Sequence, residues 1–229
     1  MATYLLVHGG WAGGWQWRDV ATRLRAAGHD VYTPTLTGLG ERVHLANPAI
    51  DLETHIQDIL MVLAYEDLHD VILVGYSYSG MIVTAVAERA PERLAHLVYL
   101  DAFVPGDGDS LAALIGPDLT AFLEQVARDY GDGWRLPHDP PDAPRRTPQP
   151  IKPLYQPVAV ANPAAAAIPR TFIYCTQEKE AMGPMGVPLT RAAGRAKADE
   201  RWRYRELKTG HIPVETTPQE LADLLLEVA

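Results

Sequence analysis

Asp70-Val-Ile-Leu-Val-Gly-Tyr-Ser-Tyr-Ser-Gly-Met-Ile-Val83 is the stretch that decides the fold. Val71 to Val74 is a short, apolar, β-branched run of the kind that fills a buried parallel strand. Gly75-Tyr-Ser-Tyr-Ser79 follows at once, and the small residues Ser79 and Gly80 open a helix expected to run to about Ala90. A strand, a sharp turn and a helix with a serine at the apex make a nucleophile elbow. Such a turn lifts Ser77 Oγ out of the sheet and aims the next N–H, that of Tyr78, at the reacting carbon. Small residues flank the serine because strand and helix nearly touch there. The usual pattern is Gly-x-Ser-x-Gly, and here Ser79 stands at the last glycine. The competing reading is an ordinary β-α turn with an exposed serine.

Strand-helix alternation extends from this stretch in both directions. Tyr4 to Val7 reads as a first strand, followed by His8-Gly-Gly-Trp-Ala-Gly-Gly-Trp15, a loop whose glycines let backbone approach a ligand. A helix is expected from about Trp15 to Ala27, then a strand over Asp30 to Pro34. Asp51 can cap a helix whose apolar positions Leu52, Ile56, Ile59, Leu60 and Leu63 share one face. Strands follow at Leu94 to Leu100, Thr171 to Cys175 and near Trp202 to Leu207. Helices are expected near Pro188 to Ala198 and after Thr217, where a capping box with Glu220 is expected. Six strands alternating with helices imply an α/β fold, a mostly parallel sheet with helices on both faces. Ligands of such sheets sit at the carboxyl ends of the strands. Gly10, Ser77, Glu178 and His211 all fall at that edge.

The texture changes over residues 104–169, which carry 12 of the 19 prolines. Leu119, Phe122, Leu123, Val126 and Tyr130 mark one amphipathic helix, while 137–157 is too proline-rich for helix or central strand. The reading is a cap (104–169) inserted into a core made of 1–103 and 170–229. Phe122, Tyr130, Trp134, Leu154 and Tyr155 would be costly to leave in water, which favours a lid over a disordered loop.

The composition suits one globular domain with 47% hydrophobic and 21% charged residues. A formal net charge of −9 argues against nucleic acid or an anionic membrane as partner. Cys175 is the only cysteine, which excludes an internal disulfide and fits a cytoplasmic location. No signal peptide and no membrane-spanning stretch is expected. A homodimer stays open.

A serine hydroxyl needs an adjacent base to become a nucleophile, and histidine suits that task. Of eight histidines, His211 in Thr209-Gly-His-Ile-Pro213 is the expected base, between the last strand and the last helix. His29, His44, His55, His69, His96 and His138 read as surface groups, and His8 as an orienter of its loop. The acid that fixes the histidine tautomer should lie between Ser77 and His211. Glu178 is the first choice, Glu180 the second and Asp101 the third. Backbone N–H groups of Tyr78 and Gly10 would hold the oxyanion. Trp11, Tyr130, Trp134, Tyr155 and Ile212 are expected to line the pocket, with Trp15 and Trp17 in the core. No metal or cofactor is expected.

Val7-His-Gly-Gly-Trp-Ala-Gly-Gly-Trp-Gln-Trp17, Gly75-Tyr-Ser-Tyr-Ser-Gly80, Cys175-Thr-Gln-Glu-Lys179 and Gly210-His211 together resemble the α/β-hydrolase superfamily. They look most like its branch of plant methylesterases, including the salicylate-binding type, and hydroxynitrile lyases. The resemblance implies a cofactor-free serine hydrolase with a small cap, and oxyanion donors at Gly10 and Tyr78. The family usually reads Cys-Thr-Glu-Asp where this chain has Cys175-Thr-Gln-Glu178, so its acid would be one methylene longer. The lyases carry threonine at the position of Gly9 and lysine at that of Ile212. Without that lysine nothing obvious holds a departing cyanide. The expected activity is therefore hydrolysis of a small or aromatic carboxylic ester through an acyl-enzyme. The alternatives are a lyase or C–C bond-cleaving enzyme on the same scaffold, or a weakly catalytic small-ligand-binding relative.

Overall fold

The computed structural model describes residues 1–229 apart from Asp139, Pro141, Asp142, Pro144, Glu178 and Ala181. In chain order it runs β1 (Thr3–Val7), α1 (Arg18–Ala26), β2 (Asp30–Tyr32), α2 (Leu52–Tyr65), β3 (Val71–Tyr76), α3 (Ser79–Arg89) and β4 (Leu94–Leu100). Then come α4 (Leu111–Ile115), α5 (Pro117–Tyr130), the two-residue strands β5 (Arg135–Leu136) and β6 (Gln149–Pro150), and α6 (Pro163–Ala167). The chain closes with β7 (Arg170–Cys175), α7 (Gly186–Ala198), β8 (Trp202–Leu207), α8 (Pro213–Thr216) and α9 (Pro218–Leu226).

Six strands form one parallel sheet in the order β2-β1-β3-β4-β7-β8, as the alternation predicts. Helical crossovers bury both faces, and alternate side chains of each strand feed separate cores. Leu5, Val71 and Leu73 pack with Ile56 and Ile59 of α2, Met81 of α3 and Leu189 of α7. Tyr4, Leu6, Ile72 and Val74 pack on the other face with Val20 and Leu24 of α1 and Leu221 and Leu225 of α9. Asp51 caps α2 as expected, in a reciprocal pair with Thr54.

The capping box expected at α9 does not form. Pro213–Thr216 already make a helical turn, so Thr217 sits at a junction of two helices, and its hydroxyl donates back to the Pro213 carbonyl at 3.4 Å. The segment between β4 and β7 is packed onto the body. Leu111, Leu136, Ile151 and Leu154 are buried in the same cluster as Tyr78 and Phe103. The β5–β6 pair is a small antiparallel sheet of its own, consistent with prolines excluding a central strand. Of the aromatic residues expected to be covered, Phe122 is 60% and Tyr130 76% exposed. The inner side of α5 is made instead by Leu123, Val126 and Ala127.

Candidate active site

The elbow forms as its residues require. Ser77 takes φ 56°, a left-handed conformation that serine adopts only when its surroundings hold it there. They do: its N–H donates to the Leu100 carbonyl at 3.1 Å, and its carbonyl accepts from the N–H groups of Gly80 and Phe103. Gly75 is required because a Cβ there would lie 2.6 Å from Val83 of α3. Gly80 is required because a Cβ would lie 1.9 Å from the Phe103 carbonyl oxygen.

Ser77 Oγ lies 2.9 Å from His211 Nε2. His211 comes from the loop after β8, and its backbone is fixed by Tyr76, whose hydroxyl donates to the His211 carbonyl at 2.5 Å. Burial, with the Asp101 charge next in weight, holds the Tyr76 hydroxyl well above the usual phenol range, so it keeps the proton this bond needs. The other imidazole nitrogen, Nδ1, lies 2.6 Å from Oδ2 of Asp101. A carboxylate there accepts Nδ1–H, leaving the Nε2 lone pair to accept the Ser77 hydroxyl proton.

Among the described residues the acid beside His211 is thus Asp101, the third choice of the sequence reading. Glu178 lies outside the described residues. The reason is sheet order. β3 and β4 are neighbours with Tyr76 opposite Leu100, so the next residues, Ser77 and Asp101, emerge side by side. Asp101 is fully buried, at φ 42°, and its Oδ1 accepts the Cys175 N–H at 3.3 Å. The loop after β7, where the acid was expected, supplies a cation: Lys179 Nζ donates to Asp101 Oδ2. Burial raises the Cys175 thiol far above its ordinary range, so it is an inert core group.

The His8-Gly9-Gly10 loop lies against the elbow. A Cβ on Gly9 would be 3.3 Å from Ser77 Cβ, and one on Gly10 4.0 Å from Tyr78 Cβ. Tyr78 immediately precedes α3, so its N–H is among the helix donors with no intrahelical acceptor. Ser79, the residue that departs from the glycine pattern, donates its hydroxyl to the His8 carbonyl and ties the elbow to the loop. His8 orients the loop as expected: Nε2 accepts the Leu36 N–H at 3.0 Å and Nδ1 meets the Gly9 carbonyl at 2.7 Å. Burial pushes His8 down to about 4, so it stays neutral.

A narrow cleft reaches Ser77 and is lined by Trp11, Phe103, Leu111, Ile115, Leu123 and Leu154, together with Gly10, Tyr78 and Gln149. Trp11 is thus placed as expected. Tyr130, Trp134, Tyr155 and Ile212 do not line this cleft. Tyr130 points to solvent, Tyr155 spends its hydroxyl on Glu124, and Ile212 is 40% exposed beyond the histidine. His55 and His96 are not surface groups. His55 is fully buried and meets the Tyr78 hydroxyl at 2.9 Å, and His96 pairs with Thr171. The signal for His55 was present, since position 55 lies on the buried face with Leu52 and Ile59. Gln149 had no signal, because it sits in the proline-rich stretch without periodicity. Among the described residues no group of three or more metal-ligating side chains converges, and no helix is long and apolar enough to cross a membrane.

Comparison with known proteins agrees with this geometry. The alpha/beta hydrolase family model matches residues 4–224. The carbendazim hydrolyzing esterase of Nocardioides sp. (strain SG-4G) is 57% identical over 115 residues, 50% of this chain and 48% of the relative. Methyl jasmonate esterase 1 of Vitis vinifera is 32% identical over 48% of this chain and 43% of its own. The chain thus spans about half the length of these curated relatives. An extracellular alpha/beta-hydrolase from a Paenibacillus species superposes with a TM-score of 0.81 at 25% identity, covering 100% of this chain and 99% of that one.

Proposed function

The chain belongs to the alpha/beta hydrolase family, and from that membership we propose that it is a serine carboxylic ester hydrolase acting on a small or aromatic ester. The observation that carries this reading is the continuous path from Ser77 Oγ through His211 to Asp101, next to the Gly10 and Tyr78 backbone. Ser77 Oγ attacks the ester carbonyl while His211 Nε2 takes its proton. Asp101 holds the imidazole tautomer and offsets the charge of the imidazolium. The N–H groups of Gly10 and Tyr78 receive the oxyanion. Collapse expels the alcohol, protonated by His211, and leaves an acyl group on Ser77. Water deprotonated by His211 attacks that acyl-enzyme, and the carboxylic acid departs as Ser77 regains its proton. Residues 104–169 act as the cap that walls the cleft with apolar side chains and keeps bulk water from the oxyanion. The esterase names of the two curated relatives support the same reaction class.

The test is hydrolysis of p-nitrophenyl esters from acetate to octanoate. The wild-type protein should turn over the shorter esters, with the preferred length sizing the narrow cleft. Ser77→Ala should lose a thousandfold or more in kcat, on the order of what removing one triad member costs, with an unchanged circular dichroism spectrum. Failure on every ester would overturn the reading and point to lyase substrates or ligand binding.

A further inference from the structure

We propose that Gln149 is a substrate-recognition residue, whose side-chain Nε2 donates a hydrogen bond to an acceptor on the substrate close to the scissile carbonyl. Its place in the fold argues for this. Gln149 lies on β6 in the cap, is 3% exposed, and lines the cleft that reaches Ser77. It faces the oxyanion loop: a Cβ on Gly10 would lie 3.5 Å from Gln149 Oε1.

Its amide orientation is fixed by chemistry. The backbone N–H of Trp11 lies 3.2 Å from Oε1, and an N–H can only donate, so the oxygen must face it. Trp11 is itself held from several sides. Its carbonyl accepts the Thr147 N–H at 2.9 Å, and its indole N–H donates to the Leu136 carbonyl at 3.0 Å. Gln149 therefore cannot turn its amide over without losing the bond to a pinned residue.

That leaves Nε2. It is buried, and among the described residues it has no hydrogen-bond partner. A buried amide donor without an acceptor is unfavourable, and folded proteins rarely keep one without a use. None of the other described cleft side chains accepts from it. Phe103, Leu111, Ile115, Leu123 and Leu154 are apolar, and the Tyr78 hydroxyl is turned to His55. Among the described residues, Gln149 Nε2 is thus an uncommitted side-chain N–H on a residue that lines the cleft reaching Ser77. A ring nitrogen, or a carbonyl or ether oxygen, placed next to the ester would meet it. A hydrocarbon ring of the same shape would fill the cleft and leave the donor buried and unpaired. The preferred substrate class is accordingly an ester whose ring or chain carries a hydrogen-bond acceptor next to the reacting carbonyl.

This inference rests on the ester-hydrolase reading for the identity of the reacting group, but its test does not need turnover. Binding of methyl quinoline-2-carboxylate and of its hydrocarbon isostere, methyl 2-naphthoate, is measured by titration on Ser77→Ala protein and on Ser77→Ala/Gln149→Met protein. The quinoline ester should bind the Ser77→Ala protein about 10- to 100-fold more tightly than the naphthoate. That preference should vanish in the double variant. Gln149→Glu, assayed at pH 8 in the same background, keeps an acceptor for Trp11 N–H and should lose the preference too. An equal preference in all variants, or equal weakening of both esters, would overturn the proposal and leave Gln149 as a strut for Trp11. Binding of neither ester would also overturn it. Wild-type turnover of p-nitrophenyl butyrate reports separately on the hydrolase reading: absent turnover with an intact binding preference would sink that reading and leave this one standing.

Discussion

Asp101→Asn changes one atom on a carboxylate that three donors share. The side chain is fully buried and accepts from His211 Nδ1–H, the Cys175 N–H and Lys179 Nζ. Asparagine has the same shape, so the fold should persist. Its amide N–H, facing His211, would donate to Nδ1 and place the imidazole proton on Nε2. That nitrogen could then no longer accept from Ser77 Oγ. In a serine triad this change of tautomer lowers kcat by about 10⁴. Stability should fall too, because Lys179, only 14% exposed, loses an ionic partner. A hydrogen bond between charged groups is worth roughly 2 kcal/mol, about 4–8 °C in Tm for a chain of this size. Because Asp101 already takes the His211 Nδ1–H, Glu178→Gln, in the loop first expected to carry the acid, should leave kcat largely unchanged. The assay is steady-state p-nitrophenyl acetate hydrolysis of both variants beside thermal unfolding. A collapse of kcat in Glu178→Gln, with Asp101→Asn within tenfold of wild type, would refute the assignment.

Ser79→Ala frees the His8 carbonyl from the elbow. One neutral hydrogen bond holding the oxyanion loop should be worth up to about tenfold in kcat with KM little moved, and a KM effect alone would contradict that role. Gly80→Ala brings a Cβ to 1.9 Å from the Phe103 carbonyl oxygen, a backbone atom that cannot yield as a flexible side chain would. Urea unfolding should show a loss of about 3 kcal/mol or more, as overpacking does, and an unchanged midpoint would mean that the elbow is looser than described. Acid should destabilise the protein through His8, which burial holds near 4 in the folded state against 6.5 unfolded. Between those values the unfolded chain binds the proton first, so stability is complete above about pH 6.5 and is lost as pH falls toward 4. At 1.36 kcal/mol per pH unit this amounts to about 3 kcal/mol; equal urea stability at pH 7.5 and 4.5 would count against it.

The parts of the molecule legible in the sequence are those set by local pattern. The strand over Leu94 to Leu100 and the one expected near Trp202 to Leu207 both form, because apolar and aromatic residues between turn signals leave little choice. Ser77 and His211 were legible because an elbow and a loop after a final strand have local marks. Asp101 ranked below Glu178 for a physical reason. Which carboxylate reaches His211 depends on β4 lying beside β3, and strand order is not written in residue spacing. Lys179 shows the same limit, since a charged loop after β7 gave no sign that its lysine would be drawn onto a buried aspartate. Residues 104–169 were read as a cap on aromatic content, yet Phe122 and Tyr130 face solvent and aliphatic residues do the covering. Gln149, in the proline-rich stretch, could be found only once its amide was seen between Trp11 and the cleft.

The central claim is that Ser77 is a nucleophile activated by His211 on Asp101. Intact-mass spectrometry after brief exposure to a fluorophosphonate tests it most directly, because that reagent reports serine activation without any knowledge of the substrate. The account predicts one adduct on the wild-type protein, mapping by peptide fragmentation to Ser77. It predicts none on Ser77→Ala and labelling slowed by orders of magnitude in Asp101→Asn. An unlabelled wild-type protein, or an adduct that persists in Ser77→Ala, would contradict it.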